Sequence, residues 1–198
     1  YLFDKGYVPT KNKQCTMPFK GKTSEELLTL REASQHEEFA GILNDNTILI
    51  DVDDHDQSEI LMRIVEDLQL ACRVYETTRG KHFLFRNDDH VDRCRTGCTL
   101  ACGLNVDIKL GKKNSYSVLK FKGQDRKIIY DIFDDEEYDP VPKWLTPVAS
   151  KAEWISMDEG DGRNQKLFSF ILTLQSAGFS KDEAKQCIQI INKYVLKK

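Results

Sequence analysis

Residues 47 to 53, TILIDVD, write an apolar strand that ends in two carboxylates, and no other stretch of the chain restricts its folding as tightly. Side chains alternate along a strand, so Ile48, Ile50 and Val52 share one face while Leu49, Asp51 and Asp53 share the other. At about 3.3 Å of rise per residue, the stems of Asp51 and Asp53 stand about 6 to 7 Å apart on one side. Carboxylates on so apolar a strand are costly unless cations or water compensate them. A helix is expected next, because Asp56 with Glu59 forms a capping-box pattern and Ile60, Leu61, Ile64, Val65 and Leu68 recur at helical spacing.

Around this unit the pattern predicts further elements. Thr23 with Glu26 gives an earlier capping box and a helix through ELLTLREA, ending before SQHEE. CRVYETT and HFLFRN flank Arg79, Gly80 and Lys81 and read as a hairpin. NVDIKLG reads as a strand, and SYSVLKF with KIIYDIF as a further pair around KGQD. The acidic, proline-punctuated DDEEYDPVPKWLTPVASK has the composition of a surface linker. Beyond it Leu167, Ile171 and Leu174 mark one helix, with Gly178 as its C-terminal cap. Ser180 with Glu183 opens a second helix carrying Ala184, Cys187, Ile188, Ile191 and Val195. Two helices alone bury too little apolar area to stand unsupported, so they must pack on the main domain or continue into another part. The expected fold class is α/β of the α+β kind: a two-layer core with an antiparallel-rich sheet over residues 1–147, then a linker and a small helical segment over 148–198.

Composition narrows the function classes. A net charge of -3 argues against a wholly basic nucleic-acid wrapper. The charges are segregated, however, with acids in DVDDHD and DIFDDEEYD and bases in RGKH, KLGKKN and KFKGQDRK. A cleft between them would suit metal ions plus a triphosphate. No apolar run approaches the ~18 residues that span a bilayer, so no membrane association is expected. The opening YLFDKGYVPTKNKQ lacks the pattern of a secretory signal, and six cysteines are too sparse for a disulfide scaffold. A cytoplasmic protein with reduced thiols is the expectation.

Two more clusters carry chemistry. In TTRGKH, a glycine permits a sharp turn while Arg79, Lys81 and His82 supply donors for a polyanion at the mouth of a strand. In NVDIKLGKKN, Asn105, Asp107 and Lys109 share a strand face, and a basic loop with Lys112, Lys113 and Asn114 follows. Each piece taken singly reads equally well as a loop cap, a structural histidine or a solvated edge.

Taken in order, ILIDVD, TTRGKH and NVDIK resemble the archaeo-eukaryotic primase superfamily, in particular the primase-polymerase domains at the front of phage and plasmid primase-helicases. That family carries an apolar strand ending in Asp-x-Asp or Asp-x-Glu, a small-residue turn with a His beginning a strand, and an apolar residue followed by Asp. Here 31 residues separate Asp51 from His82 and 25 separate His82 from Asp107. The resemblance implies an RNA-recognition-motif-like core and template-directed nucleotidyl transfer from nucleoside triphosphates. It implies that Asp51, Asp53 and Asp107 hold two Mg²⁺ or Mn²⁺ ions and that His82 contacts the triphosphate, with Arg79, Lys81 and Lys109 beside it. Lys112, Lys113 and Asn114, with Lys120, Lys122 and Arg126, would track a single-stranded DNA template. A helicase motor would lie outside this chain, which has no GxxxxGK[ST] pattern. Some relatives bear a zinc-binding insertion where His90, Cys94, Cys98 and Cys102 fall here at four-residue intervals. On one helix these could converge on zinc only with a break at Gly97, so small buried thiols and an exposed His are the favoured reading. A non-catalytic module for single-stranded nucleic acid and a metal-dependent nuclease remain as alternatives.

Overall fold

The computed structural model describes residues 2–133, 137–158, 160 and 162–196. Among these residues the class is α+β, built on two antiparallel sheets and four α-helices. The six-stranded sheet runs in the order β11 (Ile128–Tyr130), β5 (Arg73–Glu76), β6 (Lys81–Arg86), β4 (Thr47–Val52), β8 (Asn105–Leu110) and β7 (Arg95–Thr99). The five-stranded sheet runs β10 (Gln124–Asp125), β9 (Tyr116–Phe121), β3 (Phe39–Ile42), β1 (Tyr7–Lys11) and β2 (Gln14–Cys15). One antiparallel-rich sheet was expected; the second sheet adds a layer, and alternation along β4 explains why it must. Ile48, Ile50 and Val52 join the cluster that contains α2 (His55–Leu68), while Leu49 packs with Leu84, Phe39 and Leu119 between the sheets. A strand apolar on both faces needs a layer on each side.

Several expected elements move. The Thr23 and Glu26 contacts form, with Thr23 N donating to Glu26 Oε2 at 2.8 Å, but no helix follows. Leu28 instead bridges to Tyr7, exchanging backbone hydrogen bonds of 2.9 and 3.0 Å, and Leu27 is buried against the outer face of the five-stranded sheet. The helix α1 is only Leu30–Ala33, capped by its own box of Thr29 and Glu32. Likewise α2 is capped by Asp54, which accepts from Gln57 N at 2.8 Å, and not by Asp56. SYSVLKF and KIIYDIF do not pair: β9 joins β3 and β10, while β11 joins β5 in the other sheet. Between them the chain crosses from one sheet to the other, and Arg126 sits on that crossing.

The proline-punctuated segment is docked rather than laid over the surface. Val141, Trp144 and Leu145 are buried, and the backbone is pinned by bonds such as Cys102 N to Trp144 O at 2.9 Å. The acidic residues 134 to 136 lie outside the described residues. The helices α3 (Arg163–Ser176) and α4 (Lys181–Ile190) form the expected hairpin, with Gly178 at φ +85° and the Ser180 and Glu183 capping box in place. Their apolar residues Phe170, Leu174, Ala184 and Cys187 belong to the same cluster as α2 and β4. Phe170, not Ile171, takes the buried place beside Leu174, edge-on to Trp154 at 5.1 Å. Among the described residues, no helix is long and apolar enough to cross a membrane.

Candidate active site

Register decides what the ends of these strands bring together. Asp51 on β4 stands directly opposite His82 on β6 and directly opposite Asp107 on β8. Residues opposed across paired strands project from the same face, so all three side chains point toward the five-stranded sheet. Asp53 lies just past the end of β4 and lines the same cleft. So do Thr77, Thr78, Arg79, Arg95, Lys109, Asn114, and Arg126 at the crossing between sheets. The cleft encloses about 600 Å³.

Each carboxylate has a partner within the protein. Asp51, 8% exposed, accepts from Lys109 Nζ through Oδ2 at 3.0 Å. His82 Nε2 lies 3.3 Å from Oδ1, without the geometry of a formed hydrogen bond, which leaves Oδ1 buried and lacking a true donor among the described residues. Asp53 is ion-paired with Arg79. Asp107 Oδ1 accepts from Gly97 N at 2.7 Å, and Gly97, at φ +60°, lies where β7 slips register against β8. That irregularity turns a backbone N–H toward the carboxylate, as bulges beside functional clefts commonly do. As placed, no three His, Cys, Asp or Glu side chains among the described residues gather closely enough to hold a metal ion.

His82 is 6% exposed and spans the two sheets, with Nδ1 3.3 Å from Ser117 Oγ on β9. A carboxylate can only accept, so the tautomer that suits Asp51 carries its proton on Nε2, and in that tautomer Nδ1 accepts from the Ser117 hydroxyl. Burial pushes the His82 pKa below its ordinary 6.5, against the pull of Asp51. Burial opposes ionisation of Asp51 as well, but His82 and Lys109 outweigh it and hold the carboxyl well below the usual carboxylate range. With both folded-state values depressed, each group adds stability at neutral pH that is lost on acidification. The unfolded chain takes the His82 proton first as pH falls through about 6.5, and the Asp51 proton first as pH falls through the carboxylate range. Urea unfolding between pH 7.5 and 5 is therefore expected to show stability falling by up to about 1.4 kcal/mol per unit below pH 6.5. That upper part of the slope should flatten in His82→Asn.

Other expected site residues fall elsewhere. Lys81 does not face the cleft: it is 5% exposed on the opposite face of β6, paired with Glu59 of α2 and 3.4 Å from Ser58 Oγ. The reason is alternation, since neighbours of His82 on a strand must point the other way. Lys112 reaches Asp89 at 3.1 Å and Lys113 is exposed on a short 3₁₀ turn, whereas Asn114, at φ +57°, borders the cleft. Lys120 donates to Ser34 O at 3.0 Å, and Lys122 sits over the Phe121 ring. The cysteine comb occupies no helix: His90 and Cys94 are exposed, Cys98 lies on β7 and Cys102 is fully buried in the core.

Two residues contribute to the site that the sequence did not place there. Ser117 reads in the sequence as one residue of an ordinary strand. Arg126 was expected among the bases tracking a template, not in the cleft, yet its Nε and Nη1 are buried there without a hydrogen-bond partner among the described residues. Burial lowers the Arg126 pKa, and the nearby charges of Asp51 and Asp53 counter that effect. No protein-family model and no curated protein matches this chain.

Proposed function

We propose that this chain is a primase-polymerase of the archaeo-eukaryotic primase type, joining nucleoside triphosphates on a single-stranded DNA template with release of pyrophosphate. The observation that carries the reading is the register of Asp51 against Asp107, which sets two carboxylates 56 positions apart in the chain side by side in one cleft with Asp53. Had Asp107 fallen on the other face of β8, the reading would have no site.

The reading implies two divalent cations. The donors are of the right chemical kind, three carboxylates with hard oxygens, and among the described residues Asp51 Oδ1 is buried without a formed hydrogen bond, but as placed the three are engaged with Lys109, Arg79 and Gly97 N and would have to draw together to share an ion. Asp51, Asp53 and Asp107 would hold Mg²⁺ or Mn²⁺, which when bound would polarise the α-phosphate, acidify the attacking 3′-hydroxyl and neutralise the departing pyrophosphate. The protein's own groups do the positioning. Ser117 and His82 brace Asp51 from beneath, and a neutral His82 leaves the Asp51 charge undiminished for a cation. His82 itself has both ring nitrogens turned toward protein groups, so triphosphate contact falls first to Arg126, whose buried Nε and Nη1 have no hydrogen-bond partner among the described residues. A guanidinium offers the planar fork that phosphate oxygens accept in pairs. A helicase supplied by another part of the replication apparatus would be the natural companion.

With single-stranded DNA, Mn²⁺ and labelled nucleotides, the wild-type protein is expected to build or lengthen primers. Asp107→Ala should yield no product while its stability falls only by about the 1 kcal/mol of the lost bond from Gly97 N. Shortening of the labelled strand would identify a metal-dependent nuclease instead. DNA binding indifferent to Mg²⁺ and Mn²⁺, with no nucleotide turnover, would identify a binding module.

A further inference from the structure

We infer that Arg79 works in two positions: it neutralises Asp53 while no divalent cation is bound, and it turns to the phosphates of a triphosphate once a cation takes Asp53 over. The inference rests on the reading of this cleft as a triphosphate site and concerns how its two kinds of ligand are coupled.

The base of Arg79 is fixed. Thr77 N donates to Gly80 O at 2.9 Å and Gly80 N donates to Thr77 Oγ1 at 3.1 Å, closing the turn on itself. Gly80 is also pressed against the end of β4, where an added Cβ would stand 1.9 Å from the Val52 carbonyl oxygen. The turn is thereby clamped beside Asp53, and no larger residue fits at that contact.

The tip of Arg79 is loose by comparison. Its side chain is 71% exposed and that of Asp53 is 54% exposed, so their ion pair is a weak restraint. Lys109 differs, because its partner Asp51 has a side chain only 11% exposed. Three carboxylates (Asp51, Asp53, Asp107) and five cationic side chains (Lys13, Arg79, Arg95, Lys109, Arg126) line the cleft. Arg79 and Lys109 are held by carboxylates, which leaves Lys13, Arg95 and Arg126 to meet an anion. A divalent ion on Asp53 would remove the reason for Arg79 to stay and return a bidentate donor to the cleft near Arg126. Cation and triphosphate would then each favour the binding of the other.

The test is a double-mutant cycle read by calorimetry in EDTA, with inorganic triphosphate as the probe and the whole chain as the protein. Asp53→Asn releases Arg79 and is expected to tighten triphosphate binding about fivefold, the equivalent of one exposed ion pair. In an Arg79→Ala background the same substitution should change binding by less than about twofold at 0.15 M salt. Equal tightening in both backgrounds would show a general field effect and overturn the exchange, as would no tightening in either. Absence of triphosphate binding in every variant, with or without Mn²⁺, would sink both this inference and the polymerase reading. An intact cycle in a protein that makes no polymer would keep the exchange and remove the polymerase reading alone.

Discussion

Asp51→Asn is expected to lower nucleotide incorporation by about 10³-fold or more, the scale on which a preorganised charge at a reacting phosphate acts. The substitution is nearly isosteric, so its effect is electrostatic. Of the three cleft carboxylates it removes the buried one, braced by His82 and held ionised by Lys109. The amide cannot offer a cation two anionic oxygens, and Lys109 loses its counter-charge. The fold should survive, since β4 keeps its ladder to β6 and β8 and no cavity is opened. Primer extension with Mn²⁺, paired with thermal unfolding of the same preparation, checks both halves. Activity within about tenfold of wild type in a folded Asp51→Asn protein would remove Asp51 from the catalytic centre.

Trp144→Ala should cost about 3 to 5 kcal/mol of stability, a large part of what a domain of this size has to spare. Trp144 is 2% exposed and shares a cluster with residues of α2, β6, α3 and α4, so truncation opens a cavity where helices and sheet meet. Its backbone carbonyl accepts from Cys102 N, which holds the segment in place and hinders collapse into the void. A fall in the unfolding midpoint on the order of 10 °C is expected from calorimetry. A change below about 1 kcal/mol would mean that the segment is a surface linker after all, as its composition suggests.

That case shows why composition misled. Prolines and acids mark irregular backbone, but burial depends on what the rest of the chain leaves uncovered, and Trp144 fills a place defined by distant elements. The Thr23 and Glu26 pair failed for a related reason. The capping contacts are local and form, yet the helix they announce is overridden by the bridge from Leu28 to Tyr7 and the burial of Leu27. Lys81 was expected beside His82 as a triphosphate donor, although the alternation that puts His82 on the cleft face puts Lys81 on the other, where Glu59 meets it.

Short-range periodicity thus determined the strand through Ile48 to Val52, the placing of Asp51 and Asp53 on one cleft, the face shared by Asn105, Asp107 and Lys109, and the capped helical hairpin. These depend on residues a few positions apart, where backbone geometry alone fixes which way side chains point. Only the tertiary structure decided that β4 lies between β6 and β8 in the register that sets Asp51 against both His82 and Asp107, that a second sheet closes the cleft, and that Ser117 and Arg126 enter it. Strand pairing joins residues far apart in the chain, and a slip of one position turns every side chain to the opposite face. That choice is made by the packing of the whole core and not by any one segment.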